Sequence, residues 1–286
     1  STTAADLHAL WGAGADDIWS VGAGGLLLHW DGATWAAHNS PTQQPLYSVW
    51  GADAANIWAV GAGGVILKRD GAAWAAQNSG VVTDLLGVWG LDAANVWVVG
   101  ADGVILKWDG ATWSPQNSGA TNRLLAVWGA DAAHVWAAGD DGAILAWDGG
   151  AWSAQASGVT TTLATLWGQD AGNVWAAGDN GVVLKWDGAQ WLPEASGVTA
   201  ALFGLRGGDG DALWAVGRDG VMLRRAGDGW QVHSSGALPA LHALWGSAAN
   251  DIWAVGEGLL HWDGATWAAP PTGVTTTLRA LWGFGA

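Results

Sequence analysis

The chain has 286 residues, half of them hydrophobic, with 46 Gly, 26 Trp, no Cys and a formal charge of −15. The missing Cys excludes disulfides, thiolate metal sites and a Cys nucleophile, and an acidic surface with ten Lys and Arg in all disfavours nucleic-acid backbones and anionic membranes. No apolar run approaches the roughly 18–20 residues of a membrane span, so no membrane insertion is expected, and Ser1-Thr2-Thr3-Ala4-Ala5-Asp6 does not read as a signal peptide.

The pattern opens at Leu7 and then repeats. A Trp-Gly pair stands at Trp11, Trp50, Trp89, Trp128 and Trp167, passes through Arg206, and resumes at Trp245 and Trp282; the step is 39 residues six times, then 37. A second series runs Trp19, Trp58, Trp97, Trp136, Trp175, Trp214 and Trp253. A third runs Trp30, Trp108, Trp147, Trp186 and Trp262, with Arg69 and Arg225 in the two missing places. The fourth is Trp35, Trp74, Trp113, Trp152, Trp191, Trp230 and Trp267, and the four series contain all 26 Trp. Trp is therefore expected to be architectural first.

Each repeat holds four short apolar runs, which in the second are Leu46 to Trp50, Asn56 to Val60, Val65 to Arg69 and Ala73 to Gln77. Runs this short, rich in Val, Ile, Leu and Trp and bounded by Gly and Asx, read as strands. Asp53-Ala54-Ala55-Asn56 offers a side chain to cap a tight turn. Asp102-Gly103, Asp141-Gly142, Asn180-Gly181 and Asp219-Gly220 are hairpin signals, and Asp31-Gly32 and its counterparts separate the third and fourth strands. Four antiparallel strands per repeat of about 40 residues predict a seven-bladed β-propeller, all-β, in a single domain spanning 1–286. The repeats begin near 7, 46, 85, 124, 163, 202 and 241. Small residues at Ala9, Ser48, Gly87, Ala126, Thr165, Gly204 and Ala243 place the first strand innermost, where space is tightest. One first strand is surplus: 278–283 nearly duplicates 7–12. The expected resolution is a C-terminal closing strand that displaces the N-terminal copy and locks the ring.

The run Leu-Trp-Gly, Ile-Trp-Ala-Val-Gly, Ile-Leu-Lys-Trp-Asp-Gly-Ala-Thr-Trp resembles Trp-rich bacterial propeller repeats over essentially the whole chain. Asp31 to Trp35 is similar to the Asp-box of sialidase-like propellers, with Gly one residue early. The architecture is also similar to lectin propellers of the tectonin and tachylectin kind, and that resemblance implies repeated sugar sites on or between blades. Sialidase chemistry would need an Arg cluster and a Tyr–Glu pair, whereas the one Tyr is Tyr47 and the Arg are scattered. No Gly-x-Ser-x-Gly elbow is present, so no enzyme activity and no cofactor are expected. His8 and His242 share one repeat position, and His29 and His261 another. Gathered imidazoles suit zinc or copper, but duplication of a solvent-facing position accounts for them, and no metal is expected.

Ligand-reading positions should be those where equivalent points of the repeat differ. The second residue of the first strand varies most, with His8, Tyr47, Phe203 and His242 its most distinctive side chains. The preceding loops add Asp84, Asn122 and Arg123, and loops on a rigid scaffold commonly carry function. The sixth repeat adds Arg206 and Arg225, placed to stack on indoles or to bind an anion, or simply to reach solvent. The favoured of two functions is a multivalent glycan-binding module with shallow sites on or between blades or at the channel mouth, which requires an exposed indole face. The other is a protein-interaction scaffold without a sugar ligand. Composition leans weakly toward a secreted or surface location.

Overall fold

The computed structural model describes residues 5–207, 213–227, 229–234, 240–248, 250–270 and 277–283. Every repeat folds as one four-stranded antiparallel sheet whose strands follow chain order, so the chain is a seven-bladed β-propeller. Blade 1 is Leu7–Gly14, Asp17–Gly22, Leu27–Trp30 and Trp35–His38. Blades 1 to 4 form one compact unit, and blades 5 to 7, with the Asp140–Gly142 turn, form another.

Local chemistry sets each reversal. Asp53 Oδ1 accepts the backbone N–H groups of Ala55 and Asn56 at 2.8 and 2.9 Å, closing the turn between first and second strands. Asp31 Oδ1 does the same for Ala33 and Thr34 at 2.9 and 2.7 Å, while Gly32 takes a φ of +89°. Between second and third strands, Asp102 and Gly103 both have positive φ, the geometry that suits a tight hairpin.

Within each unit the first strands of successive blades lie side by side, so the first strand is innermost there, as the small residues indicate. A Cβ added to Gly87 would sit 3.1 Å from Leu125 O of the next blade, so crowding at that position is real. The core fills the wedges between blades. Trp19, Val21 and Leu27 of blade 1 pack with Leu46, Ile57, Leu67 and Trp74 of blade 2, and the same layer recurs in later wedges. Burying an indole removes roughly 150–250 Å² from water, and Trp19, Trp58, Trp97 and Trp214 are wholly buried.

The Trp-Gly pair has a specific cause. The ring of Trp50 lies across Gly90 of the next blade, where a Cβ would come within 2.5 Å of Cζ3. Trp11 covers Gly51 and Trp89 covers Gly129 in the same way. Each of these Trp therefore needs a Gly one repeat later. Blade 6 breaks the series: with Arg206 in the Trp position, the space over Gly246 is met by Ile252 Cδ1 instead of an indole.

The surplus strand departs from expectation. The N-terminal copy is not displaced: Leu7–Gly14 pairs antiparallel with Asp17–Gly22, as in every other blade. The C-terminal copy lies against blade 7, where the Leu278 N–H donates to Gly256 O at 2.7 Å and the Trp245 ring covers Gly283. A paired hairpin keeps its inner strand because displacement would orphan its ladder of backbone hydrogen bonds.

Candidate interaction face

The varied first-strand residues meet across blade boundaries. In the first unit the His8 Nδ1–H donates to Leu46 O at 2.8 Å, and its ring lies 5.8 Å from that of Tyr47. In the second, Phe203 stacks on His242 at 5.6 Å and 23°, and the Arg218 guanidinium lies 6.0 Å from the Phe203 ring. All four rings are half-buried. Burial, with the Arg279 charge second, holds His242 below the usual imidazole range.

The loop residues are less united. The carboxylate of Asp84 accepts the Gly63 N–H at 2.9 Å, so it is engaged in holding the neighbouring turn. Asn122 is half-buried and Arg123 exposed on their shared loop. Arg206 is half-buried, and burial lowers its pKa.

Arg225 does not reach solvent, and it is not open to an external anion. Its Nε and Nη2 donate to Glu194 at 3.1 and 2.9 Å, and its guanidinium lies 5.4 Å from the Trp175 ring. Both partners are nearly buried, their side chains 11% and 13% exposed. Glu194 Oε2 also accepts the indole N–H of Trp230 at 2.8 Å and that of Trp175 at 3.3 Å. The expected stacking on an indole is therefore present, but the anion is internal. Sequence reasoning overlooked Glu194, although it stands where Gln77, Gln116 and Gln155 stand in other repeats and is the one acid in that series. Arg69 also keeps the contacts of the Trp it replaces: it donates to Ala54 O as Trp108 does to Ala93 O, and it lies over Trp19.

The paired histidines act within their own blades. His29 bonds Asp17 at 2.7 Å and stacks on Trp19, and His261 does likewise with Asp251 and Trp253. The aligned Lys68, Lys107, Lys185 and Arg224 lie over the same indole series, so the position faces a ring and not simply solvent. Among the described residues no group of three or more His, Cys, Asp or Glu could hold a metal ion. None of their helices is long and apolar enough to cross a membrane.

A concavity lies elsewhere, between blades 5 and 6. It is an open groove of about 670 Å³. Val182, Val183, Leu184, Pro193 and Val198 line its trough. One end runs into a polar recess formed by Asp179, Asn180, Arg218 and Asp219. The third and fourth strands of blade 5 (Val183–Trp186 and Trp191–Glu194) supply one wall, and the turn before Val221 of blade 6 supplies the other. Asn180 and Asp219 take positive φ, so the hairpin signals of the sequence are also the groove's rim. No periodicity marks the groove, because Val182 and Val198 look like any apolar residue of the repeat.

The titrating groups give an expected result in acid. The turn carboxyls of Asp31, Asp70, Asp109, Asp148, Asp187 and Asp263 are held below their usual range, chiefly by backbone N–H groups. Their ionised form is favoured by folding, so their contribution persists above about pH 4 and is lost as pH falls below it. His38, His233 and His242 are lowered by burial. Folding disfavours their protonation, so that loss begins near pH 6.5, where the unfolded imidazole titrates. Thermal melts from pH 8 to pH 3 should show a shallow decline and then a steep one; a flat Tm down to pH 4 would remove the histidine contribution.

No family model matches the chain, and no curated protein matches it. Solved structures do. The computationally designed Ika8 protein aligns with a TM-score of 0.84 at 17% identity, covering 99% of this chain and 92% of that one. The WD40 β-propeller domain of Doa1 aligns at 0.71 and 13% identity, covering 92% of each. YCF48 bound to D1 peptide aligns at 0.69 and 19%, covering 93% of this chain and 92% of that one. Identities this low establish the propeller fold.

Proposed function

We propose that this propeller is a non-catalytic protein-interaction scaffold that receives an extended segment of a partner on its surface. The observation that carries this reading is the open, apolar groove between blades 5 and 6. Binding sites combine an apolar lining with a few placed polar groups, and this groove has both. The propeller YCF48, which shares the fold, is known with a D1 peptide bound; that support is by analogy of fold.

The glycan reading needs an indole face open to a sugar. Every one of the 26 Trp is at least half-buried, and the first-series rings of Trp11, Trp50, Trp89 and Trp167 cover glycines of the next blade. A random peptide display library panned on the intact chain tests the proposal beside a glycan array. Enrichment of a shared peptide motif with a silent array is expected. A glycan signal without peptide enrichment would overturn it.

A further inference from the structure

The groove's charge narrows the class of partner. Its trough is apolar, while Asp179 and Asp219 stand exposed at its polar end. The cation beside them, Arg218, directs its guanidinium toward the Phe203 ring. Elsewhere in the second unit, Lys185, Arg224 and Arg225 lie over indoles, Arg206 is half-buried and Arg279 is exposed but does not line the groove or its recess. The two carboxylates therefore outnumber the one cation of the rim, Arg218, on a chain that carries −15 overall. Glu194 also borders the groove, but Arg225 and two indole N–H groups already satisfy it, so it adds no free charge.

Resting on the scaffold reading above, we infer that the blade 5–6 groove takes an extended peptide that lays aliphatic side chains in the trough and a Lys or Arg against Asp179 and Asp219. An extended chain alternates its side chains, so it can fill the trough while presenting a cation to the rim. A charge-assisted contact is roughly twice as strong as a neutral one, which makes the basic residue the selective element. An acidic peptide meets the same carboxylates and is rejected.

The test uses the intact chain and three fluorescein-labelled peptide pools, each with a central Leu-Val pair flanked by Lys, by Ser or by Glu. In fluorescence polarisation at low salt, the Lys pool should bind at least about tenfold more tightly than the Glu pool. The difference should shrink as salt rises, because the screening length falls from about 10 Å at 0.1 M to about 3 Å at 1 M. The Asp179→Asn/Asp219→Asn double variant should bring the Lys pool to the affinity of the Ser pool and leave the Ser pool unchanged. Asp102→Asn, at the same turn position in blade 3, should change neither. Val198→Asp should weaken all three pools. Because Val198 is half-buried, Thr199→Arg at the exposed rim supplies a second reading: the Lys pool weakens and the Glu pool strengthens. Equal binding of the pools, absence of binding by all three, or equal effects of the double variant and Asp102→Asn would overturn the inference. Library-selected peptides that bind the parent and Val198→Asp equally would remove this groove while leaving the scaffold reading intact.

Discussion

A Gly90→Ala variant should unfold well below the parent, and a Gly246→Ala variant should not. The new methyl at position 90 would lie 2.5 Å from Trp50 Cζ3 and 3.0 Å from Asn95 O. The indole is also stacked on Trp58, its cross-strand partner, with ring centroids 5.8 Å apart. Overpacking of this kind costs about 1–3 kcal/mol and sometimes more, and a rigid ring facing backbone favours the upper end. In a chain of this size that corresponds to a fall in Tm of roughly 5–10 °C. At Gly246 the backbone contact is the same, 3.0 Å to Asp251 O, but the other obstacle is the terminal methyl of Ile252, the far end of a flexible side chain and not a rigid ring. That variant should stay within about 1 kcal/mol, helped by the lower entropy of its unfolded chain. Equal losses in the two variants would show that the Trp-on-Gly contact is not what fixes the pair.

The second large effect concerns the substituted Arg of blade 6. Restoring the repeat with Arg225→Trp should destabilise, because it leaves Glu194 nearly buried with only indole donors. Removing one member of a buried ion pair costs about 3–5 kcal/mol, and Glu194→Gln strands the guanidinium in the same way. The double change, Glu194→Gln with Arg225→Trp, recreates the Gln and Trp found in other blades. It should lose less than either single variant, with a coupling energy of about 2–3 kcal/mol in a double-mutant cycle. Strictly additive losses in thermal or denaturant unfolding would refute the compensation.

These contacts show where the sequence was informative. Trp spacing, Asx turns and small first-strand residues each express a constraint that recurs in most blades, so strand order and turn geometry could be read from one chain. The partner of each Trp could not, because Trp50 and Gly90 are one repeat apart and only blade packing brings them together. Arg225 looked like a ligand candidate because it breaks the pattern, yet Glu194 breaks it in the preceding repeat and the two changes neutralise each other. Asp84 varied in a loop and is held by a turn N–H. The groove left no sequence signature: its trough uses residues required for packing, and its rim uses residues required for turning.

The missing indole over Gly246 also has a dynamic consequence. Where a blade lays its first-series indole on the next, as Trp11, Trp50, Trp89 and Trp167 do, opening that edge means lifting a ring from its neighbour. Between blades 6 and 7 that ring is absent, and the aromatic contacts left include those of Trp214 with Trp262 and Trp267 and of Phe203 with His242. In a protein whose stability is close to a sum over neighbouring repeats, a weak coupling divides cooperative units. Blade 7 should therefore open on its own more readily than blade 3, so its backbone amides should exchange with deuterium first, and uniform exchange across the blades would show that the remaining wedge contacts suffice.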